Sequence, residues 1–275
     1  MEMNQIPETK YVLHRRFDRM GRLVGDDKME KLFATHVMVI GLGGVGSWAA
    51  ESLARSGVGK ITLVDFDEIC ITNANRQLHA LTGLVGKKKA MVMGERLQKI
   101  NPQAEIKTMD LFYNAENSEM ILSHKPDFII DAIDNITAKC HLIATAKEKN
   151  IKIITSGGSG AKLDPTRIKI TDLSNTEVDP LSAVIRKLLR QNFAFPRKGS
   201  FGIPCVWSDE EPRNPITLHY DKGEGFKCVC PQGQNSPHGC EHRNVIHGTA
   251  SFVTGAFGLS LASWIVRDIL GETNS

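Results

Sequence analysis

The hexad GLGGVG, residues 41–46, is followed by an acid at Asp65, cations at Arg76 and Lys89, and a further acid at Asp134. Glycines at its first, third and sixth positions, Gly41, Gly43 and Gly46, with Gly44 among them, let a backbone approach phosphate closely, and a helix N-terminus opening there attracts the anion. Asp65 stands twenty-four residues after Gly41, where a carboxylate accepts the hydroxyls of a ribose. These features predict a bound nucleotide and leave NAD and ATP both open. The residues that follow favour one. DFDEICITNANRQLHA (65–80) runs through Asp65 and Asp67 into Asn73, Asn75, Arg76 and Gln77, and GKKKA then supplies Lys87, Lys88 and Lys89. Hydride transfer wants an apolar ring slot and a proton donor, whereas cations beside phosphates suit charge developing on a transferring or leaving phosphate. Arg76 and Lys89 therefore favour ATP, while Lys87 and Lys88 read as a solvated charge run. In DAIDN (131–135), Asp134 is the candidate ligand for a magnesium ion bridging phosphates. The bland alternatives are a surface or capping role for Arg76 and a helix-dipole role for Asp134.

Holding these side chains on one rim requires alternating strands and helices. A helix is expected over residues 11–34, with Phe17 and Leu23 on one face, then a strand at 36–40, a helix at 45–56, a strand at 61–64 and a helix at 87–100 closed by Asn101-Pro102. Strands at 105–109, 128–130 and 151–155 and a helix at 137–149 continue the cycle. This alternation implies an α/β fold: a Rossmann-like, mostly parallel sheet with helices on both faces. Beyond residue 160 the pattern loosens into a C-terminal extension, with strands at 167–171 and 203–207, a helix at 181–190, a loop-rich segment at 209–247 and a final packing helix. The expected division is a nucleotide-binding core over 11–160 and a substrate and dimerisation part over 161–275 of the same domain.

Thirty-four basic and thirty-one acidic side chains give a formal charge of +3, which neither marks nor excludes a polyanion-binding face. MEMNQIPETKYVLHRRFDRM lacks an apolar run of signal-peptide type, so a cytoplasmic setting with reduced thiols is the expectation. Gly248 to Val266 is uncharged and nearly long enough to cross a bilayer, yet rich in Ser, Thr, Gly and Ala; it reads as a buried helix, with peripheral membrane contact as the alternative. Cys70, Cys140 and Cys205 read as core residues. Cys228, Cys230 and Cys240, with His238 and His242, contain enough soft ligands for zinc, although C-x-C spacing is less suited than C-x-x-C. VIRKLLRQNFAFPRK (184–198) holds Arg186, Lys187, Arg190, Arg197 and Lys198 without an acid, with Phe193 and Phe195 between them. It is either a surface for nucleic-acid phosphates and a base or a solvated helix face followed by core aromatics.

In order, GLGGVGSWAAESLARSGVG, LVDFDEI, NRQ, GKKKA and DAIDN resemble the ubiquitin-activating-type (ThiF/MoeB-like) adenylyltransferase superfamily. TNANRQLHAL (72–81), SGGSGAKLDPTRIKITDLSNTEVDPL (156–181) and VTGAFG bring the resemblance nearest to the bacterial tRNA threonylcarbamoyladenosine dehydratases, over about residues 30–270. The resemblance implies ATP-dependent adenylation of the carboxylate of threonylcarbamoyladenosine in tRNA, then dehydrative cyclisation with release of AMP and pyrophosphate. It places Gly41, Gly43, Gly44 and Gly46 around ATP phosphates, Asp65 and Asp67 toward the ribose, and Asn73 and Asn135 in polar contact with the nucleotide. Arg76 and Lys89 would neutralise the triphosphate and Asp134 would hold magnesium. A homodimer is implied, because the arginine of NRQ can come from the other subunit. Some members carry a cysteine shortly before the final helix, and superfamily relatives that handle protein partners use one as an acyl or thioester acceptor. That position falls near Arg243 here, so Cys240, three residues away, is the candidate thiol, with a structural or metal-binding role as its alternative. The second functional reading is activation of the C-terminus of a ubiquitin-like sulfur-carrier protein, with a sulfur-transfer protein as partner.

Overall fold

The computed structural model describes residues 13–216, 218 and 247–273. The chain opens with two short helices, α1 (Asp18–Val24) and α2 (Asp26–Ala34), in place of the single helix expected over 11–34. Gly25 separates them, at φ 84°, a backbone state that disfavours other residues. Phe17 is buried as expected, but Leu23 is 78% exposed, while Gly21 is the buried position of α1.

Seven strands form one sheet: β1 (His36–Ile40), β2 (Lys60–Val64), β3 (Glu105–Met109), β4 (Phe128–Asp131), β5 (Lys152–Ser156), β6 (Ile168–Asp172) and β7 (Pro204–Ser208). Their order is β3-β2-β1-β4-β5-β7-β6. All pairings are parallel except that of β6 with β7, so the expected α/β class and mostly parallel sheet hold. The helices are α3 (Gly46–Arg55), α4 (Lys89–Ile100), α5 (Ser118–Leu122), α6 (Ile136–Glu148), α7 (Pro180–Asn192) and α8 (Ser251–Ile269).

Successive strand side chains point to opposite faces, and the sheet has a core on each. Val37, Val39, Ile61, Leu63, Phe128 and Ile130 pack with the buried positions of α2, α3, α4 and α8. Met38, Ile40, Ile129 and Ile153 pack with α5, α6 and α7. Both sides of β1 are therefore buried, which explains its unbroken apolar run. Cys70, Cys140 and Cys205 are all buried, and burial pushes the Cys140 thiol up to about 11 and that of Cys205 up to about 12. Their core role holds.

The order of strands reverses direction around β1, which has β2 on one side and β4 on the other. In open parallel sheets the crevice beyond the carboxyl ends of the strands at such a point receives ligands. Helix α8 packs on α3, the helix that follows the glycine turn. Its Val253, Phe257, Leu261, Ala262 and Ile265 are fully buried, the packing-helix reading of its sequence. Gly255 and Gly258 lie against α3: a Cβ at Gly258 would overlap the Val45 carbonyl oxygen and stand 2.8 Å from Cβ of Trp48. Alanine in a helix interior gains about 1 kcal/mol over glycine, but overpacking of a close contact costs about 1–3 kcal/mol. Backbone cannot yield as a side-chain tip can, so the clash wins. Gly258→Ala is expected to lower the urea midpoint of unfolding, and an unchanged or raised midpoint would refute this account of the α3–α8 contact.

Candidate nucleotide site

The glycine turn fills the crevice between β1 and β4. Gly41 has φ 90°, and a Cβ there would stand 2.7 Å from the carbonyl oxygen of Ala132, just past β4. At Gly46 a Cβ would overlap the Gly41 carbonyl oxygen, so the turn closes onto itself as α3 begins. Gly43 has open space beside it, and Gly44 faces the side chain of Arg76, whose Cγ would be 3.1 Å from an added Cβ. The hexad thus divides into two closure glycines, Gly41 and Gly46, and two at the open face, Gly43 and Gly44. Unpaired backbone N–H groups at a helix start favour an anion there.

Asp65, directly after β2, is buried. Its Oδ2 accepts from the backbone N–H of Leu42 at 2.6 Å and its Oδ1 from that of Asp67 at 2.8 Å. Each carboxylate oxygen has a second lone pair, so both retain capacity for a ribose hydroxyl. Burial raises the Asp65 carboxyl above the usual range, opposed by the Lys89 charge and these N–H donors. Lys89 is likewise buried, its Nζ 2.7 Å from Oδ2 of the half-buried Asp67. Burial acts to lower its pKa, but Asp65, Asp67 and Asp134 together outweigh it and the net direction is upward. The ammonium is therefore held charged at the first residue of α4, where a cation opposes the helix dipole.

Arg76 lies across the turn. Its Nη1 donates to the Thr72 carbonyl oxygen and to Asn75 Oδ1, while its own carbonyl accepts from Trp48 Nε1 at 3.1 Å. Asn73 is buried, and its Oδ1 accepts from the Cys70 backbone N–H; that oxygen shapes the loop carrying Arg76. Asn135 is the N-cap of α6, its Oδ1 accepting from Ala138 N. Lys87 is exposed as expected, but Lys88 is not simply solvated, since its Nζ lies 3.4 Å from Asp110, 3.7 Å from Glu68 and 3.2 Å from the Phe66 carbonyl oxygen.

The two acids of DAIDN occupy different environments. Asp134 is exposed at the rim and close enough to Lys89 to raise its pKa. Asp131 is wholly buried and pairs with Lys139 at 2.9 Å; its Oδ2 also accepts from Thr155 Oγ1 at 2.6 Å and its Oδ1 from Ile133 N at 3.1 Å. Lys139 Nζ donates onward to the Ile133 carbonyl oxygen. This pair fixes the turn that presents Asp134, and the sequence reading missed it because a lysine inside a helix reads as a surface residue. The only available cue was an acid at a strand end followed by a lysine one turn into the next helix.

Cys240, Cys228, Cys230, His238 and His242, candidates for the thiol and for zinc, lie outside the described residues. Among the described residues no group of three or more His, Cys, Asp or Glu side chains is placed to hold a metal. The described ends flanking that segment meet beside the site: Arg213 N donates to the Ala161 carbonyl, Ala161 N donates to that of Gly248, and Asn75 Nδ2 donates to that of Thr249.

A model of the ThiF family matches residues 17–275. The chain is 38% identical over 260 residues to the tRNA threonylcarbamoyladenosine dehydratase of Escherichia coli (strain K12), covering 94% of each chain. It is 41% identical over 258 residues to the protein of the same name from Haemophilus influenzae, covering 93% of this chain and 94% of that one. The crystal structure of the E. coli tRNA N6-threonylcarbamoyladenosine dehydratase in complex with ATP superimposes with a TM-score of 0.80 at 36% identity, covering 95% of this chain and 98% of that one.

The contrast between the two acids is directly measurable. Asp131→Ala strands the buried Lys139 charge and is expected to cost about 3–5 kcal/mol of stability, whereas Asp134→Ala, at an exposed rim, is expected to cost at most about 1 kcal/mol. Chemical denaturation checks both, and equal effects would overturn the assignment.

Proposed function

The chain belongs to the ThiF family, and from that premise we propose that it uses ATP to adenylate the carboxylate of threonylcarbamoyladenosine in tRNA. Cyclisation follows, with net loss of water and release of AMP and pyrophosphate. The observation that carries this reading is the buried, charged Lys89 beside Asp67 and Asp65, next to a glycine turn that is open at Gly43 and overlain by Arg76. That arrangement suits a triphosphate whose leaving group gains negative charge as the α-phosphorus is attacked.

In the first step a carboxylate oxygen of the substrate bonds to the α-phosphorus, and the bond from that phosphorus to the bridging oxygen of pyrophosphate breaks. Lys89 and Arg76 stabilise the departing charge, the N–H groups of the turn orient the phosphates, and Asp65 orients the ribose. In the second step a nitrogen of the same side chain attacks the acyl carbon, AMP leaves with the former carboxylate oxygen, and the nitrogen loses its proton. Both reacting groups belong to one side chain, which removes the entropic cost of bringing them together. The two steps need no enzyme nucleophile.

Asp134 would hold magnesium, which supplies charge neutralisation on the phosphates. Its exposed carboxylate at the strand-end rim fits a hard cation that binds through one or two carboxylates, phosphate oxygens and water. A homodimer belongs to the same reading, supported by exposed Ile71, Leu81 and Val85 in the loop that carries Arg76.

Release of pyrophosphate on adding threonylcarbamoyladenosine-bearing tRNA and ATP tests the proposal. Arg76→Ala, which removes the side chain facing Gly44 and its hydrogen bonds to Thr72 and Asn75, is expected to slow that release about 100- to 1000-fold. Release driven instead by a carrier protein ending in two glycines, and not by tRNA, would overturn it.

A further inference from the structure

Away from the nucleotide site, α7 borders an open groove of about 580 Å³ lined by Ala183, Arg186, Lys187, Arg190, Gln191 and Arg197. Four of these six side chains are cationic and none is acidic. The helix buries Ile185 and Leu189 in the core it shares with α6, while Lys187 is exposed. Two of them are fixed from behind. Arg186 donates through Nη1 to Thr176 Oγ1, and the Arg190 guanidinium lies 5.0 Å over the Phe201 ring with its Nε directed at the Pro196 carbonyl oxygen. Phe195 is buried edge-on against Phe201, and Phe193 packs partly buried on the same core. The aromatics of this stretch thus support the cations and do not form a stacking platform.

Among the described residues none of the four cations has a carboxylate within salt-bridge distance, although other cations of the chain do, as Arg167 and Lys169 pair with Asp209. Burial and the neighbouring Arg190 charge both lower the Arg186 pKa. Asp179 offsets part of this at Arg186, but four clustered cations, two of them held in place, still repel one another and gain most from a ligand carrying several phosphates in series.

Its position narrows the choice. At the start of α7, Asp179 Oδ2 accepts from Gly158 N and Ser182 N, each at 3.1 Å, so the helix springs from the turn after β5. That strand neighbours β4, whose carboxyl end carries Asp131 and Asp134. At 1.5 Å per helical residue, Lys187 lies about 12 Å and Gln191 about 18 Å from Asp179. We propose that this groove docks the phosphate backbone of the substrate tRNA, holding the stem that adjoins the modified nucleoside. The proposal rests on the tRNA-modifying reading above.

Lys187 and Arg197 are exposed and lie outside the machinery assigned to the chemistry. The test compares Lys187→Glu/Arg197→Glu with the charge-conserving Lys187→Arg/Arg197→Lys and the wild-type protein. The reversal is expected to raise KM for modified tRNA at least about tenfold with kcat and ATP binding little changed. It should also reduce the slope of log tRNA affinity against log salt by about 1.5–2, and the conservative pair should restore both. Unchanged KM and slope in the reversed variant of an active enzyme would overturn the groove. If the wild-type protein bound tRNA without converting it, the enzymatic reading would fall, while loss of that binding on reversal would still support the groove. Reversal that abolished binding to phosphatidylserine vesicles while leaving tRNA binding intact would overturn it.

Discussion

A buried anion must be compensated, and the Asp65 carboxylate dictates much of what surrounds it. It lies where β2 ends and takes its hydrogen bonds from Leu42, in the glycine turn after β1, and from Asp67. Two successive strand ends are thereby tied together through one desolvated group. Its countercharge, Lys89, is buried at the start of α4, so the loop between β2 and α4 must fold back over the strand ends for the two to meet. The backbone records that return, with Lys89 N bonded to the Asp67 carbonyl oxygen. An isolated helix would gain nothing from a buried cation at that terminus. The arrangement stores a positive charge close to an anion-attracting turn, where a phosphate chain can use it.

The second buried pair, Asp131 with Lys139, serves the neighbouring strand end in a different way. Buried pairs stabilise little in net terms because desolvation offsets their attraction. Here the pair specifies geometry, joining β4, β5 through Thr155, and α6. The turn between β4 and α6 is held in one shape, with Asp134 at its exposed corner. Loop and helix thus share a division of labour: the buried charges set the backbone, and Asp134 stands at the exposed corner they shape.

Much of this was legible in the sequence wherever a local rule and a long-range role coincide. GLGGVG between HVMVI and an apolar helix carries its own geometry, since close approach at Gly41 and Gly46 leaves room for no other residue. Asp65 and Lys89 were legible as charges at strand and helix ends. What the sequence concealed are roles set by packing. Asn73 and Asn135, expected in polar contact with the nucleotide, also accept from the backbone N–H groups of Cys70 and Ala138, a packing role that spacing does not carry. Lys139 resembles any helical lysine until the turn before α6 closes over it. Gly25 interrupts what reads as one continuous helix, because its positive φ is a backbone choice invisible in an apolar pattern. For the stretch after α7, composition left base stacking and core packing both open; the Phe195–Phe201 contact decides for the core.

The central claim is that phosphate chemistry at this strand-end rim activates a carboxylate for closure on its own side chain. Its most direct test is mass spectrometry of the nucleosides of tRNA bearing threonylcarbamoyladenosine after incubation with the protein, ATP and magnesium, under mild handling that preserves a cyclic product. The account predicts an ATP-dependent loss of one water from that nucleoside. An unchanged mass, with the protein folded and ATP bound, would contradict it.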